Sequence, residues 1–521
     1  MAPSGYAGAR MGRVATASSS DLAAAAAGRI AEEGGNAVDA AVAAAIVSMI
    51  TEPGVCALGG GGFVTIWMPG TDPVTIDGYV EMPGRGLPRE RFGKGVFDVT
   101  MEYGGGLTTT IGHGSVGTPG ALAALGLASV RYGRIPWPLL VEPAYELARD
   151  GFPLSQPSSN YLRYSHEVVF GWHEPSRAAL HLEDGSPIQA GGLVRVADRA
   201  DTLRAIAEQG PRTMYEGEIA RLITADMMAN GGLLTAEDLL EYRPLVRRPL
   251  EAVVGGWHVV TNPAPAIGGI TLTALLMLMN GHPRHRWTPA DYDLLIRAQI
   301  AVLGFRRDQL ELSDDLPRDA VRLLTGAEAG DIEALSSSPS TVHTSTVDST
   351  GSACSITISS GYGSGVMPPG TGIWMNNCLG EIELNRRGFH ALAPGTRLTS
   401  NMAPTIARHE DGRVLSVGSP GADRITTAIL ATVINFTELG MSLADAIAYP
   451  RVHVERDEES EWRVAYEGSL PIDTLDYPRR RFENLDMYFG GVGAAYGDVH
   501  GELVAAADPR RTGATSLAGS G

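Results

Sequence analysis

Gly418-Ser419-Pro420-Gly421-Ala422-Asp423-Arg424 stands between the apolar run Val414 to Val417 and the helix-like run Ile425 to Leu439. The pattern predicts a strand that ends in a tight Gly/Pro turn and passes straight into a helix. Such a junction points several unpaired backbone N–H groups at one spot, where an anion can bind. The same spot can hold an oxyanion that exists only during acyl transfer, where one donor is worth about 3 to 4 kcal/mol of barrier. Gly/Pro turns also join strands to helices for purely structural reasons. An enzymatic reading therefore needs a nucleophile elsewhere in the chain.

Composition narrows the setting. The chain has 521 residues, of which 44% are hydrophobic, and its mean hydropathy is near zero at -0.01. It can bury a large core, and its length allows about two to four domains or one large one. A net charge of -18 argues against nucleic acid or an anionic membrane as the main partner. Cys56, Cys354 and Cys378 are too few and too scattered for a zinc motif or a disulfide framework, so a reducing cytoplasm is expected. Met1 to Val14 contains Arg10 and Arg13 but no apolar signal-peptide core, and no window reaches the roughly 18 apolar residues of a membrane span. No metal-ligating constellation is visible in the sequence, and no cofactor is expected.

Along the chain, Asp21 is expected to cap an Ala-rich helix over Leu22 to Ile30 that closes on Gly34-Gly35, and Asn36 to cap a second over Ala37 to Ile50. The second is apolar nearly all round and should be buried. Gly59 to Gly62 leads into a strand over Phe63 to Trp67. Without a following Lys-Ser/Thr the glycines do not make a phosphate loop and read as a packed turn. Thr118-Pro119 is expected to start a helix, Thr235 to Asp238 to form a capping box, Leu250 to Val260 to be one strand, and Asn262 to Gly269 to turn into a helix over Ile270 to Met279. Residues 310 to 340, with Asp314-Asp315 and Ser336-Ser337-Ser338-Pro339-Ser340, predict a mobile polar stretch. It runs into two strands, His343 to Asp348 and Ala353 to Ile358, joined by Ser349-Thr350-Gly351.

Threonine is a poor nucleophile unless a base stands beside it. A threonine at the start of a chain has its own α-amine, with a pKa of roughly 7.7 to 8.0. The loop-to-strand junction permits this role for Thr341, but the spacing alone does not select it over Thr344 or Thr346.

Several motifs in order, Gly34-Gly35-Asn36-Ala37-Val38-Asp39-Ala40-Ala41, Gly59 to Phe63, Gly418-Ser419-Pro420-Gly421, Gly490-Gly491-Val492-Gly493-Ala494 and Ala507-Asp508-Pro509-Arg510-Arg511, make the chain resemble the γ-glutamyltranspeptidase family over nearly its full length. The resemblance implies an α+β fold, the four-layer αββα sandwich of N-terminal-nucleophile hydrolases. It also implies self-cleavage between Ser340 and Thr341, with one domain built from a large chain 1–340 and a small chain 341–521, and it admits a dimer of such heterodimers. Thr341 would be the nucleophile for both processing and turnover of a small-molecule substrate. Gly421 and Ala422 would supply the oxyanion N–H groups, and Ser359 a hydroxyl that assists. His343 reads as a structural strand residue.

The sequence departs from the family where substrate is recognised. A γ-glutamyl group needs an Arg for its α-carboxylate and an acid for its ammonium. In Ile76-Asp77-Gly78-Tyr79, Tyr79 occupies about the place of the Arg; Cys378 replaces an amide, Glu381 stands near the acid, and a Ser-Ser-Met motif becomes Ser400-Asn401-Met402. Arg85, Arg89, Arg91 and Arg424 are the cations that could substitute. The expectation is a self-processing threonine hydrolase or acyltransferase with non-glutathione specificity. Related activities that fit this pattern of loss are oxamate amidohydrolysis and the carbon–carbon bond hydrolysis that releases an oxalyl group in antibiotic pathways. Ordinary γ-glutamyl transfer or glutathione hydrolysis is a further alternative. A non-catalytic binding protein of the same fold would have no need for Thr341, Ser359 and Gly418 to Gly421 together.

Overall fold

A computed structural model describes residues 12–102, 106–282, 284–329, 341–421, 424–456, 461–511 and 513–519. Two antiparallel sheets carry the fold. Their strands, in chain order, are β1 (Val14–Ser18), β2 (Gly61–Trp67), β3 (Val74–Gly78), β4 (Leu245–Arg247), β5 (Leu250–Val254), β6 (Trp257–Thr261), β7 (Val342–Asp348), β8 (Ala353–Ser359), β9 (Thr405–His409), β10 (Val414–Gly418), β11 (Gly493–Gly497), β12 (Leu503–Ala507) and β13 (Ala514–Ala518). The first sheet has the order β13-β1-β7-β8-β2-β3-β4, the second β12-β11-β10-β9-β6-β5.

Alternation along β7 explains the layering. Val342 belongs to a core shared with helices Asp21–Glu32, Ala37–Thr51 and Ala121–Tyr132, whereas Val347, on the opposite face, packs against Ile406, Val414 and Ala495 of the second sheet. The outer face of the second sheet is covered by helices Ile267–Met279 and Arg424–Thr437, backed by Pro289–Phe305 and Leu316–Ala329. The result is the expected αββα sandwich. Helix Ala37–Thr51 is buried on every side, and Asn36 and Asp39 form a reciprocal capping box at its start. Among the described residues no helix is long and apolar enough to cross a membrane.

Several local expectations are corrected. The first helix starts at Asp21 itself, and Ser20 is the cap, accepting from Ala23 N. Pro119 lies outside its helix, which runs Ala121–Tyr132 from Gly120. Leu250 to Val260 is a hairpin, bent at Gly255 and Gly256, both at positive φ. The next helix begins at Ile267, three residues early. The polar stretch from 310 contains the helix Leu316–Ala329. Its charged termini hide an apolar stripe, Ala320, Leu323 and Ala327, that is buried in the core with helix Ile267–Met279. The Ser-rich remainder, 330–340, lies outside the described residues. The two Gly-rich and strand expectations around Thr341 agree with β2, β7 and β8, except that Gly61 and Gly62 already belong to β2. A Cβ there would sit 2.7 Å from Val80 and 2.4 Å from the Thr357 carbonyl, so strand packing requires glycine.

Candidate active site

Strand register brings the candidate residues into one row. Val342 pairs with Ile358, Ser359 with Gly61, and Gly62 with Gly78. One step along the same ladders, Thr341 falls opposite Ser359 and Tyr79 opposite Gly61. Directly paired residues of antiparallel strands share a face, and this face looks onto the second sheet.

One layer below, the His343 ring lies between the sheets. Its Nδ1 is 2.9 Å from Thr357 Oγ1 and its Nε2 2.7 Å from Ser345 Oγ. Gly418 of β10 makes room for it, since a Cβ there would come within 2.3 Å of the ring. Burial pushes the imidazole pKa down to about 3, so the ring is neutral and occupied by packing, as expected of a structural residue.

Beyond Gly418 the chain makes its turn. Ser419 Oγ donates to the Pro420 carbonyl and accepts from Gly491 N at 3.1 Å. Gly421 has φ +125, and a Cβ on it would lie 2.7 Å from Gly490 Cα. Only glycine combines that backbone with that approach. Ala422 and Ser340, expected as oxyanion donor and cleavage site, lie outside the described residues.

The loop Gly490–Gly493 is held in turn by a buried ion network from the Ala507 to Arg511 motif. Asp508 accepts from Val492 N at 2.8 Å and from Arg451 at 2.6 Å, and Arg510 joins Asp508 to Glu467. Burial opposes the Asp508 charge, but Arg451 and Arg510 overcome it and hold the carboxyl below its usual range.

A cavity of about 170 Å³ opens at Thr341, lined also by Ser18, Tyr161, Tyr362, Pro420 and Gly491 to Gly493. Ser359 Oγ accepts from Gly361 N at 2.9 Å. Glu52, which the sequence reading passed over, is in the cavity wall. Its Oε2 accepts from Ser158 and Ser155 at 2.9 and 3.2 Å, and Ser20 stands close by. Burial, against those hydrogen bonds, pushes its pKa up to about 7. The available signal was Glu52-Pro53, a carboxylate just past the end of a helix that is apolar nearly all round.

The five recognition candidates do not line this cavity. Tyr79, stacked on Phe63, reaches Cys378 Sγ at 3.9 Å and bonds Ser400. Glu381 is buried beside Gly361, with Cys378 as neighbour. Burial first, then Cys378 and Glu381, raises the pKa of Tyr79, and burial first, then Glu381, raises that of Cys378. Burial and the nearby Glu383 raise that of Glu381. Tyr79 and Cys378 therefore stay uncharged, and Glu381 is harder to ionise than a free carboxyl. Asn401 is turned to Arg306, whose Nη2 donates to its Oδ1 at 2.6 Å. Among the described contacts Arg85, Arg89 and Arg91 are engaged elsewhere, and Arg424 stands near Tyr362 of the cavity wall. Arg85 pairs with Asp238 and Glu81, Arg89 lies over Phe92, Arg91 donates to the Met228 carbonyl, and Arg424 lies over Tyr488. The cation nearest Tyr79 in these contacts is Arg397, which donates to the Tyr79 carbonyl at 3.2 Å but is paired with Glu81 at 2.8 Å.

Two facing antiparallel sheets between helices, with a strand that begins just after Thr341 beside a glycine turn, define an N-terminal-nucleophile hydrolase fold. The model of the gamma-glutamyltranspeptidase family matches residues 23–518, and the chain belongs to that family. It is 31% identical to the glutathione hydrolase proenzyme of Escherichia coli K12 over 92% of this chain and 87% of that protein. It is 29% identical to the acylase ACY 1 proenzyme of Pseudomonas sp. SE83, over 83% and 81%. Among solved structures, a cephalosporin acylase from Bacillus halodurans superposes with a TM-score of 0.79 over 99% of this chain and 97% of that one, at 24% identity, a likeness of fold.

Proposed function

We propose that the protein is a self-processing acyl-transfer hydrolase that uses Thr341 as nucleophile and acts on an amide other than glutathione. The observation that carries this reading is the position of Thr341, opposite Ser359 and on the cavity that the Gly418 to Gly421 turn also borders.

In maturation, Thr341 Oγ attacks the Ser340 carbonyl carbon. The peptide C–N bond breaks, its nitrogen takes the hydroxyl proton, and water opens the resulting ester, leaving chains 1–340 and 341–521. The freed α-amine then accepts the Oγ proton as Oγ attacks the substrate carbonyl. The oxyanion forms at the N–H groups of Gly421 and Ala422, the amine departs with the proton, and water or another acceptor takes the acyl group from Thr341.

Specificity follows from charge. Tyr79 and Cys378 are uncharged and burial disfavours the charge of Glu381, so the cluster offers an amino-acid head group no cation for its carboxylate and only a disfavoured anion for its ammonium. That the relatives include acylases as well as glutathione hydrolases fits this loss. Wild type should run as two bands on a denaturing gel, with Thr341 at the new N-terminus by mass spectrometry. Thr341→Ala should stay one inactive chain; an intact yet active wild type would sink the mechanism. A screen of γ-glutamyl-anilide, oxamate and oxalyl- or acyl-bearing amides tests specificity, and turnover of the γ-glutamyl compound at ordinary enzyme rates would refute that part.

A further inference from the structure

We infer that the protein has a second site, for a single zinc-like divalent ion, built from His113, His173 and Asp226. Ligand atoms of these three side chains all lie within 4.8 Å of one another. They come from three separate segments: the turn His113–Ser115, the loop just before helix Glu174–Leu180, and helix Gly217–Ala229.

The geometry is already partly that of a metal site. His113 Nε2 and Asp226 Oδ2 are 3.1 Å apart, close to the spacing of about 3.3 Å that two ligands take around zinc at bonds of about 2.0–2.1 Å. The other Asp226 oxygen accepts from Asn230 Nδ2 at 3.0 Å, the kind of outer contact that orients a ligating carboxylate. Among the described residues no Arg or Lys pairs with Asp226. The His113 and His173 ring centroids are 5.6 Å apart. His173 Nδ1 receives only a long 3.4 Å hydrogen bond from Met367 N, which it gives up as the ring closes on the ion.

Two imidazoles and one carboxylate fill three corners of a tetrahedron and leave the fourth for water. That donor set suits zinc over magnesium or calcium, which take oxygen ligands. His113 is buried and the other two are half-buried, so the site lies near the surface. None of the three lines the cavity at Thr341. The ion acts as a brace, tying helix Gly217–Ala229 and the loop at His173 to the end of the paired strands Phe97–Met101 and Leu107–Ile111, whose Met101 is in the cavity wall.

Trp172 provides a direct readout, because its ring meets His113 at 5.9 Å and His173 at 5.2 Å. Full-length protein is dialysed against chelator and titrated with zinc chloride by calorimetry and tryptophan fluorescence. One ion per chain should bind, with a change in emission. His173→Ala and Asp226→Asn should each weaken binding at least tenfold, while Thr341→Ala should bind as wild type does. His173 is half-buried, so its variant keeps the test open if a change at buried His113 prevents folding. Absence of saturable binding, or affinity unchanged in both variants, would overturn the site.

Discussion

Thr341 is one of many hydroxyls in the chain, and its distinction at the residue scale is position. It immediately precedes β7, faces the second sheet and borders the cavity. If its hydroxyl alone matters, Thr341→Ser should still cut the chain, while Thr341→Val should leave a single band. Glu52 predicts a measurable pH effect. Its pKa is raised from 4.5 to about 7 in the fold, so between those values the unfolded chain binds fewer protons. The stability it contributes is fully present below about pH 4.5 and lost as pH rises through 7, about 3 kcal/mol in all. Glu52→Gln should therefore be more stable than wild type at pH 8 and not at pH 4, measured by the shift in urea midpoint. Tyr79 and Cys378 were readable as departures from the family motif. Their neutrality was not, because it comes from burial among residues far away in sequence.

At the scale of elements, the local signals that survived folding are those with a mechanism confined to a few residues. Asn36 caps its helix because its side chain reaches Val38 and Asp39 N at 2.9 and 3.0 Å. Asn36→Ala should cost about 1 kcal/mol by thermal or urea denaturation. Helix Leu316–Ala329 was missed because its buried stripe is narrow and its ends carry Asp and Arg, so composition read as mobile. The hairpin at Gly255-Gly256 was legible in the Gly-Gly pair between two apolar runs, which a single-strand reading of Leu250 to Val260 passed over. The Gly490–Gly493 loop was visible as a motif, but its support by Asp508 was not. Asp508→Asn leaves Arg451 and Arg510 buried with less countercharge, a loss of about 3 to 5 kcal/mol. Activity should fall with it, and the outcome to check is the unfolding midpoint alongside turnover.

For the whole molecule, the interleaving of strands predicts the fate of a cut. β7, β8 and β13 follow residue 340, yet β7 pairs with β1 on one side and with β8 on the other, and β8 pairs with β2. In the second sheet β6, from before the cut, pairs with β9, from after it. The two chains should thus migrate as one particle in size-exclusion chromatography and separate only under denaturant. By itself the sequence determined the family, the order of strands around Thr341, the glycine turn that ends β10 and the presence of a tyrosine, not a cation, at position 79. Each of these is written in contiguous residues, where backbone preference and side-chain chemistry act locally. Only the tertiary structure decided the rest: that Thr341, Ser359 and Tyr79 share a row, that His343 fits beneath Gly418, that Glu52 borders the cavity, and that His113, His173 and Asp226 meet. Those facts depend on sheet register and on packing between segments up to hundreds of residues apart, and the burial that raises the pKa of Glu52 and lowers that of His343 exists only once those segments have come together.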